Sequence, residues 1–291
     1  STMIDILLTI VTFSLMLMLF KYFEKYNVNN LQAIIINYFV ASSLSIFSIY
    51  HNGKEFKLME IIQSDYIYPA VSIGILFIIT FNLLAFGTQK VGIATATVSN
   101  KMSMIIPVVL GIYLFEENFS FLNFIGLLTA IIAIYLTSTN KGKLNFNKKY
   151  LFIIILIFFG QGIADGILNW TQETILNQSN SLEFFASIFF LAGFFGIMYF
   201  FYIKTKDKIE IKSKNVFWGV MLGIPNFFTL YFFINALKSG VFESSQIFPI
   251  VNMGIIILSA LAGLILFKEK ISFMKCIGLA LAIFAIALIT Y

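Results

Sequence analysis

Arginine is missing altogether: all 19 basic residues of the 291 are lysines. The planar fork that grips phosphates and base edges through paired hydrogen bonds is therefore absent, and a formal charge of +5 does not by itself point to nucleic acid. There is one cysteine, Cys276, and one histidine, His51, which excludes an intramolecular disulfide and argues against a zinc cluster, so no metal site is expected. Charged residues are scarce, at 11% against 59% hydrophobic. A soluble domain carries about 25% charged residues, and no water-soluble core could absorb so much apolar surface. What is present in excess is long apolar runs.

A spanning helix needs roughly 20 apolar residues, so about ten spans consume most of the chain and leave no room for a separate soluble domain. Apolar runs between polar breaks place spans near 4–20, 31–49, 67–88, 93–115 and 120–138, then near 150–170, 182–203, 216–237, 242–267 and 272–290. Lys21 and Glu24 follow the first run where a signal peptide would have a small-residue cleavage site, so it is read as a retained span.

Two stretches align at a fixed offset. Phe115, Glu117, Ser120, Phe121, Ile125, Gly126, Ala130 and Ala133 recur as Phe267, Glu269, Ser272, Phe273, Ile277, Gly278, Ala282 and Ala285, each pair 152 positions apart. The expected organisation is a five-helix repeat over 1–140, a lysine-rich linker over 141–149 and a second five-helix repeat over 150–291. Five is odd, so the second repeat enters the bilayer in the opposite sense, and an all-α protein of two inverted repeats around a central cavity is expected. Inverted repeats with a midplane site are a recurrent transporter design.

Outside the spans, lysines gather in connections 1–2, 3–4, 5–6, 7–8 and 9–10, against only Lys54, Lys57 and Lys238 in connections 2–3 and 8–9. The positive-inside rule puts the lysine-rich side in the cytoplasm and both termini outside a cell membrane, expected to be a bacterial cytoplasmic membrane. The repeated Gly126/Ala130/Ala133 and Gly278/Ala282/Ala285 form small-residue stripes that let helices approach closely. Ser120 and Ser272 read as N-caps.

Two ionisable residues stand inside spans. Lys101 lies about eight residues into span 4, roughly 12 Å deep in a layer about 30 Å thick. Asp165 lies about fifteen residues into span 6, and Gln161, Asp165 and Asn169, spaced four apart, share its face. A midplane charge costs on the order of 2.5 to 3.5 kcal/mol, so each needs a cavity or a partner. The positions 152 away are Met253 and Phe13, so the duplicated scaffold demands neither charge. Asn100 instead matches Asn252, a symmetric polar pair near the midplane. Asn82, Asn226 and Gln246 also lie inside spans and are expected to line the same cavity. The plain alternative is a structural Lys101–Asp165 ion pair, although the two depths differ by about 10 Å. Pro107, Pro225 and Pro249 mark expected bends.

The LFEENFS and LFKEKIS turns, each followed by a glycine-containing apolar helix, resemble the EamA-type transporters of the drug/metabolite transporter superfamily, and the resemblance covers both repeats. It implies ten helices, inverted repeats, a central cavity, alternating access and no cofactor. Members move amino acids, other metabolites, drugs or nucleotide sugars. Glu117 and Glu269 match the glutamate of the family turn and are expected to be structural. Many members keep their termini in the cytoplasm, against the lysine distribution here, and the prolines fall at unequal places in the two repeats.

The favoured function is a secondary transporter of a small polar metabolite, an amino acid or related zwitterion, with Lys101 holding a carboxylate and Asp165 an ammonium group or a coupling proton. The partners are then a small solute, the lipid bilayer and a proton or ion. Efflux of lipophilic or aromatic drug-like compounds is the alternative within the class. A channel and a membrane enzyme stand further off; no GxSxG, HExxH or paired-carboxylate motif occurs in the spans.

Overall fold

The computed structural model describes residues 2–115, 120–140, 143–144, 146–176, 180–205, 210–241 and 244–290, apart from the side chains of residues 115, 140 and 244–246. Its helices are α1 (Thr2–Lys25), α2 (Asn30–His51), the short α3 (Leu58–Ile62), α4 (Ile67–Val91), α5 (Ile93–Met102), α6 (Ile105–Phe115), α7 (Phe121–Ser138), α8 (Leu151–Thr174), α9 (Ser181–Lys204), α10 (Ser213–Lys238), α11 (Ser244–Ile265) and α12 (Phe273–Thr290). Thr139–Asn140 and Lys143–Leu144 form a two-residue antiparallel pair in the central connection. Among the described residues, ten stretches are long and apolar enough to cross a membrane, α5 and α6 together making one of them. Only helices and closed barrels satisfy every backbone group in lipid, which is why the apolar runs become helices.

The fourth span, expected over 93–115 with a bend at Pro107, is interrupted outright. It breaks at Ser103 and Met104, and Pro107 explains the place. Proline has no N–H, and its ring collides with the carbonyl four residues back, which is that of Ser103. The freed groups find local partners: the Ile106 N–H donates to the Ser103 carbonyl at 2.9 Å, and the Ser103 hydroxyl donates to the carbonyl of Asn100. Pro225 and Pro249, expected to bend their helices in the same way, lie inside unbroken α10 and α11.

Long helices on either side of the central connection pack across it in matching pairs. Helix α1 packs on α10 and α11, while α8 packs on α4 and on α5 and α6. Helix α2 packs on α10, α9 packs on α4, α2 and α9 pack on each other, and so do α7 and α12. Every such contact thus has a counterpart with the halves exchanged. The α7–α12 pair shows why the small stripes are needed. A Cβ on Gly126 would meet Ile289 N at 3.0 Å and Leu288 Cβ at 3.0 Å; one on Gly278 would meet Thr137 N at 2.7 Å and Leu136 Cβ at 3.0 Å. The start of each helix therefore lies against the end of the other, and they cross antiparallel. Ala130, Ala133, Ala282 and Ala285 are all fully buried in the same seam. The expected caps form as well, with the Asn123 N–H donating to the Ser120 hydroxyl at 3.1 Å and the Lys275 N–H to that of Ser272 at 3.2 Å.

Candidate functional site

Helix α5 is fastened on one side and polar on the other. Thr95 and Ser99, one turn apart, donate to the carbonyls of Thr137 at 2.9 Å and Ile154 at 2.8 Å, which ties α5 to α7 and α8. Thr97 and Lys101, also one turn apart, fall on the opposite side of the helix. Half-buried Lys101, two residues before the break, carries its ammonium over the Phe13 ring of α1, 3.7 Å from the centroid. No ion pair within 4.0 Å joins Lys101 to Asp165 or to any other carboxylate among the described residues. The structural ion pair is thus not formed.

Asp165 is instead the end of an amide chain. The buried Asn100 amide donates to the Gln161 oxygen at 3.2 Å, and the Gln161 amide donates to the Asp165 carboxylate at 2.8 Å. Asn100, Gln161 and Asp165 thus come together between α5 and α8. Asn169 and Asn252 are half-buried, and neither side chain hydrogen-bonds to another described residue.

Asn82 and Asn226 take other partners. The Asn82 amide donates to the Ile78 carbonyl of its own helix at 2.7 Å. Asn226 donates at 3.0 Å to the oxygen of Asn37, a fully buried residue of α2, and Thr229 one turn away donates to Thr12 at 2.8 Å. These bonds join α10 to α2 and α1. A double-mutant cycle of Asn37→Ala and Asn226→Ala, read by thermal unfolding, is expected to give a coupling of about 0.5 to 1.5 kcal/mol. The Gln246 side chain lies outside the described residues, as does all of Glu117.

A cavity of about 490 Å³ opens at the lysine-rich end, lined by residues including Asn27, Gln32, Lys212 and Asn215, and one of about 160 Å³ at the other end includes Lys57, Tyr66 and Glu183. Neither is lined by any of the midplane residues expected to bind. Helices do approach closely nearby, where Gly162 of α8 abuts Ile106 and Gly254 of α11 abuts Ile10.

Residues 1–139 match the family model of the EamA-like transporters. Over that stretch, a little under half of its length, the chain is similar to the EamA-like transporter family. An uncharacterized protein of Haemophilus influenzae is 27% identical over 276 residues, covering 94% of this chain and 92% of its own length. A crystal structure of a protein 13% identical superposes with a TM-score of 0.61 over 97% of this chain and 95% of the other, which shows the fold alone. The ten apolar stretches among the described residues make this a multi-pass membrane protein, and its first half is similar to a family of transporters.

Sequence reasoning missed several residues of this EamA-like chain. Phe13 sits inside an apolar run, and its one signal is that it stands 152 positions before Asp165. Asn37, Thr12 and Thr229 are polar residues in spans that were passed over. Glu269, recognised as part of the repeated turn, does more than shape it. Its carboxylate pairs with Lys21 of α1 at 3.1 Å and accepts the Ile93 N–H at 3.1 and 3.2 Å on its two oxygens, capping the start of α5.

Proposed function

We propose that this protein is a secondary transporter that moves a small polar metabolite, an amino acid or related zwitterion, by alternating access between two inverted five-helix repeats. The reading rests on one observation above the others: the Lys101 ammonium, deep in the bilayer, lies over an aromatic ring with no carboxylate within 4.0 Å among the described residues, Asp165 being near enough to interact with it but not to pair. A cation over a ring gains about 0.5 to 2 kcal/mol, which does not offset the roughly 2.5 to 3.5 kcal/mol that a midplane charge costs. A solute carboxylate makes up the difference. Asp165, one oxygen of which accepts from Gln161, then receives the solute ammonium or a coupling proton.

The exchange symmetry of the helix contacts supports the inverted arrangement, and the lysine-rich face supports a cytoplasmic side with both termini outside. Asn100 and Gln161 hold Asp165 in place, and Asn169 and Asn252 are free to reach a bound solute. The alternative cargo, a lipophilic or aromatic compound, would use Phe13 and its neighbours rather than the charges.

The test is a thermal-shift screen of the purified protein against amino acids, amines, carboxylates, sugars and uncharged aromatics. A ligand at 100 times its dissociation constant stabilises by roughly 2.7 kcal/mol. Zwitterions are the expected hits; hits confined to uncharged aromatics overturn the reading in favour of drug efflux. Asp165→Asn is expected to cut uptake of a zwitterion at least about tenfold while leaving the protein folded, since asparagine keeps the Gln161 bond and loses the charge. Unchanged uptake and unchanged pH dependence in this variant would remove Asp165 from the site.

A further inference from the structure

Among the described residues, the most densely bonded charge lies away from the midplane, at the lysine-rich ends of the spans. Glu269 is only 12% exposed and binds three ways at once. Lys21 of α1 pairs with it, the first N–H of α5 donates to it, and its own N–H donates to the Gly263 carbonyl at 2.9 Å, which folds the α11–α12 turn inward. Lys275 of α12, 4% exposed, adds a second ammonium close enough to feel the same carboxylate.

Two glycines make the seat. Gly92, at φ +99°, leaves room that a Cβ would lose, since that atom would stand 3.1 Å from Glu269 Oε2; a Cβ on Gly263 would stand 3.0 Å from the same oxygen. A charge-assisted bond to a helix N-terminus is among the stronger polar contacts available at such a depth.

Its position matters more than its strength. Glu269 comes from the second half of the chain, whereas Lys21 and Ile93 belong to the first. Ile93 heads the helix that carries Thr97 and Lys101 on its polar side, one and two turns further in. Whatever opens the lysine-rich end to Lys101 must part α5 and α1 from the α11–α12 turn, and Glu269 bonds to both of them across that divide.

We infer that Glu269 is the latch of the gate on the lysine-rich side: its bonds to Lys21 and Ile93 hold that side closed, and transport requires them to break and reform. The inference rests on the transporter reading but not on the identity of the solute.

The test uses the full chain with Cys276→Ser and a single reporter, Thr97→Cys. Thr97 is 1% exposed and its hydroxyl has no hydrogen-bond partner, so the replacement sacrifices no bond. A membrane-impermeant maleimide reaches the new thiol when the lysine-rich side opens. Adding Glu269→Gln is expected to speed labelling about tenfold, the population shift that follows loss of one charge-assisted bond. Lys21→Met, which leaves the cap on α5 intact, is expected to act in the same direction and serves as the decisive variant if Glu269→Gln does not fold. Labelling within about twofold of the parent in Lys21→Met, with only a lowered thermal midpoint in Glu269→Gln, would make the carboxylate a helix cap and overturn the latch. Because labelling needs no substrate, faster labelling without zwitterion uptake would leave the latch standing and sink the proposed cargo instead.

Discussion

Lys101→Met is expected to leave a protein that unfolds at the same temperature as the parent or higher, yet no longer gains stability from zwitterions and transports them at less than about a tenth of the parental rate. The sign of the first effect is the informative part. A lysine retained for structure would have a partner, and removing it would strand that partner and destabilise the fold. Among the described residues no carboxylate comes within 4.0 Å of the Lys101 ammonium; its near contact is the Phe13 ring at 3.7 Å, with Asp165 further off. Methionine keeps the length and the contact with that ring while removing a charge whose midplane cost is on the order of 2.5 to 3.5 kcal/mol. The measurement is a pair of melting curves for each protein, with and without saturating solute. A lower midpoint without solute, together with normal uptake, would return Lys101 to the scaffold.

Gly278→Ala is the second large effect, and it runs against helix propensity. Alanine is favoured over glycine inside a helix by about 1 kcal/mol, but here the added methyl meets Thr137 N at 2.7 Å, a backbone atom that cannot rotate away. Helix α12 must then back off α7 along the whole seam of buried alanines. Overpacking of this kind costs about 1 to 3 kcal/mol, so the midpoint is expected to fall by roughly 2 to 4 °C for each net kcal/mol lost, and Gly278→Val should be worse. Gly166→Ala is the control. Its methyl meets only the far end of the Leu110 side chain, which has room to turn, so its midpoint should stay close to that of the parent. Equal effects of the two alanines would refute the seam as a point of close backbone approach.

The ten spans were legible because lipid leaves the chain so few choices: a run of about 20 apolar residues has to be a helix, and its hydropathy is readable without knowing its neighbours. The small stripes were legible for a related reason, since Gly126 and Gly278 recur in register and each serves the other's helix. The break at Ser103 was only half legible. Pro107 signalled it, but Pro225 and Pro249 gave the same signal within helices that stay whole. What stayed hidden was pairing at a distance. Nothing around Lys101 names Phe13, 88 positions earlier, and nothing in the LFKEKIS turn names Ile93, 176 positions before Glu269. Such partners are set by which helices become neighbours, and a linear pattern does not carry that information.

The seam between α7 and α12 also bears on synthesis. Gly126 faces Leu288 and Ile289, which leave the ribosome roughly 160 residues later, a wait of about 10 to 30 s at ordinary elongation rates. Throughout that interval α7 sits in the membrane with its small-residue groove unfilled, open to any passing helix that carries a matching stripe. A quality-control protease or an insertion chaperone that reads unpaired grooves would meet this protein as a client until its last helix enters the bilayer.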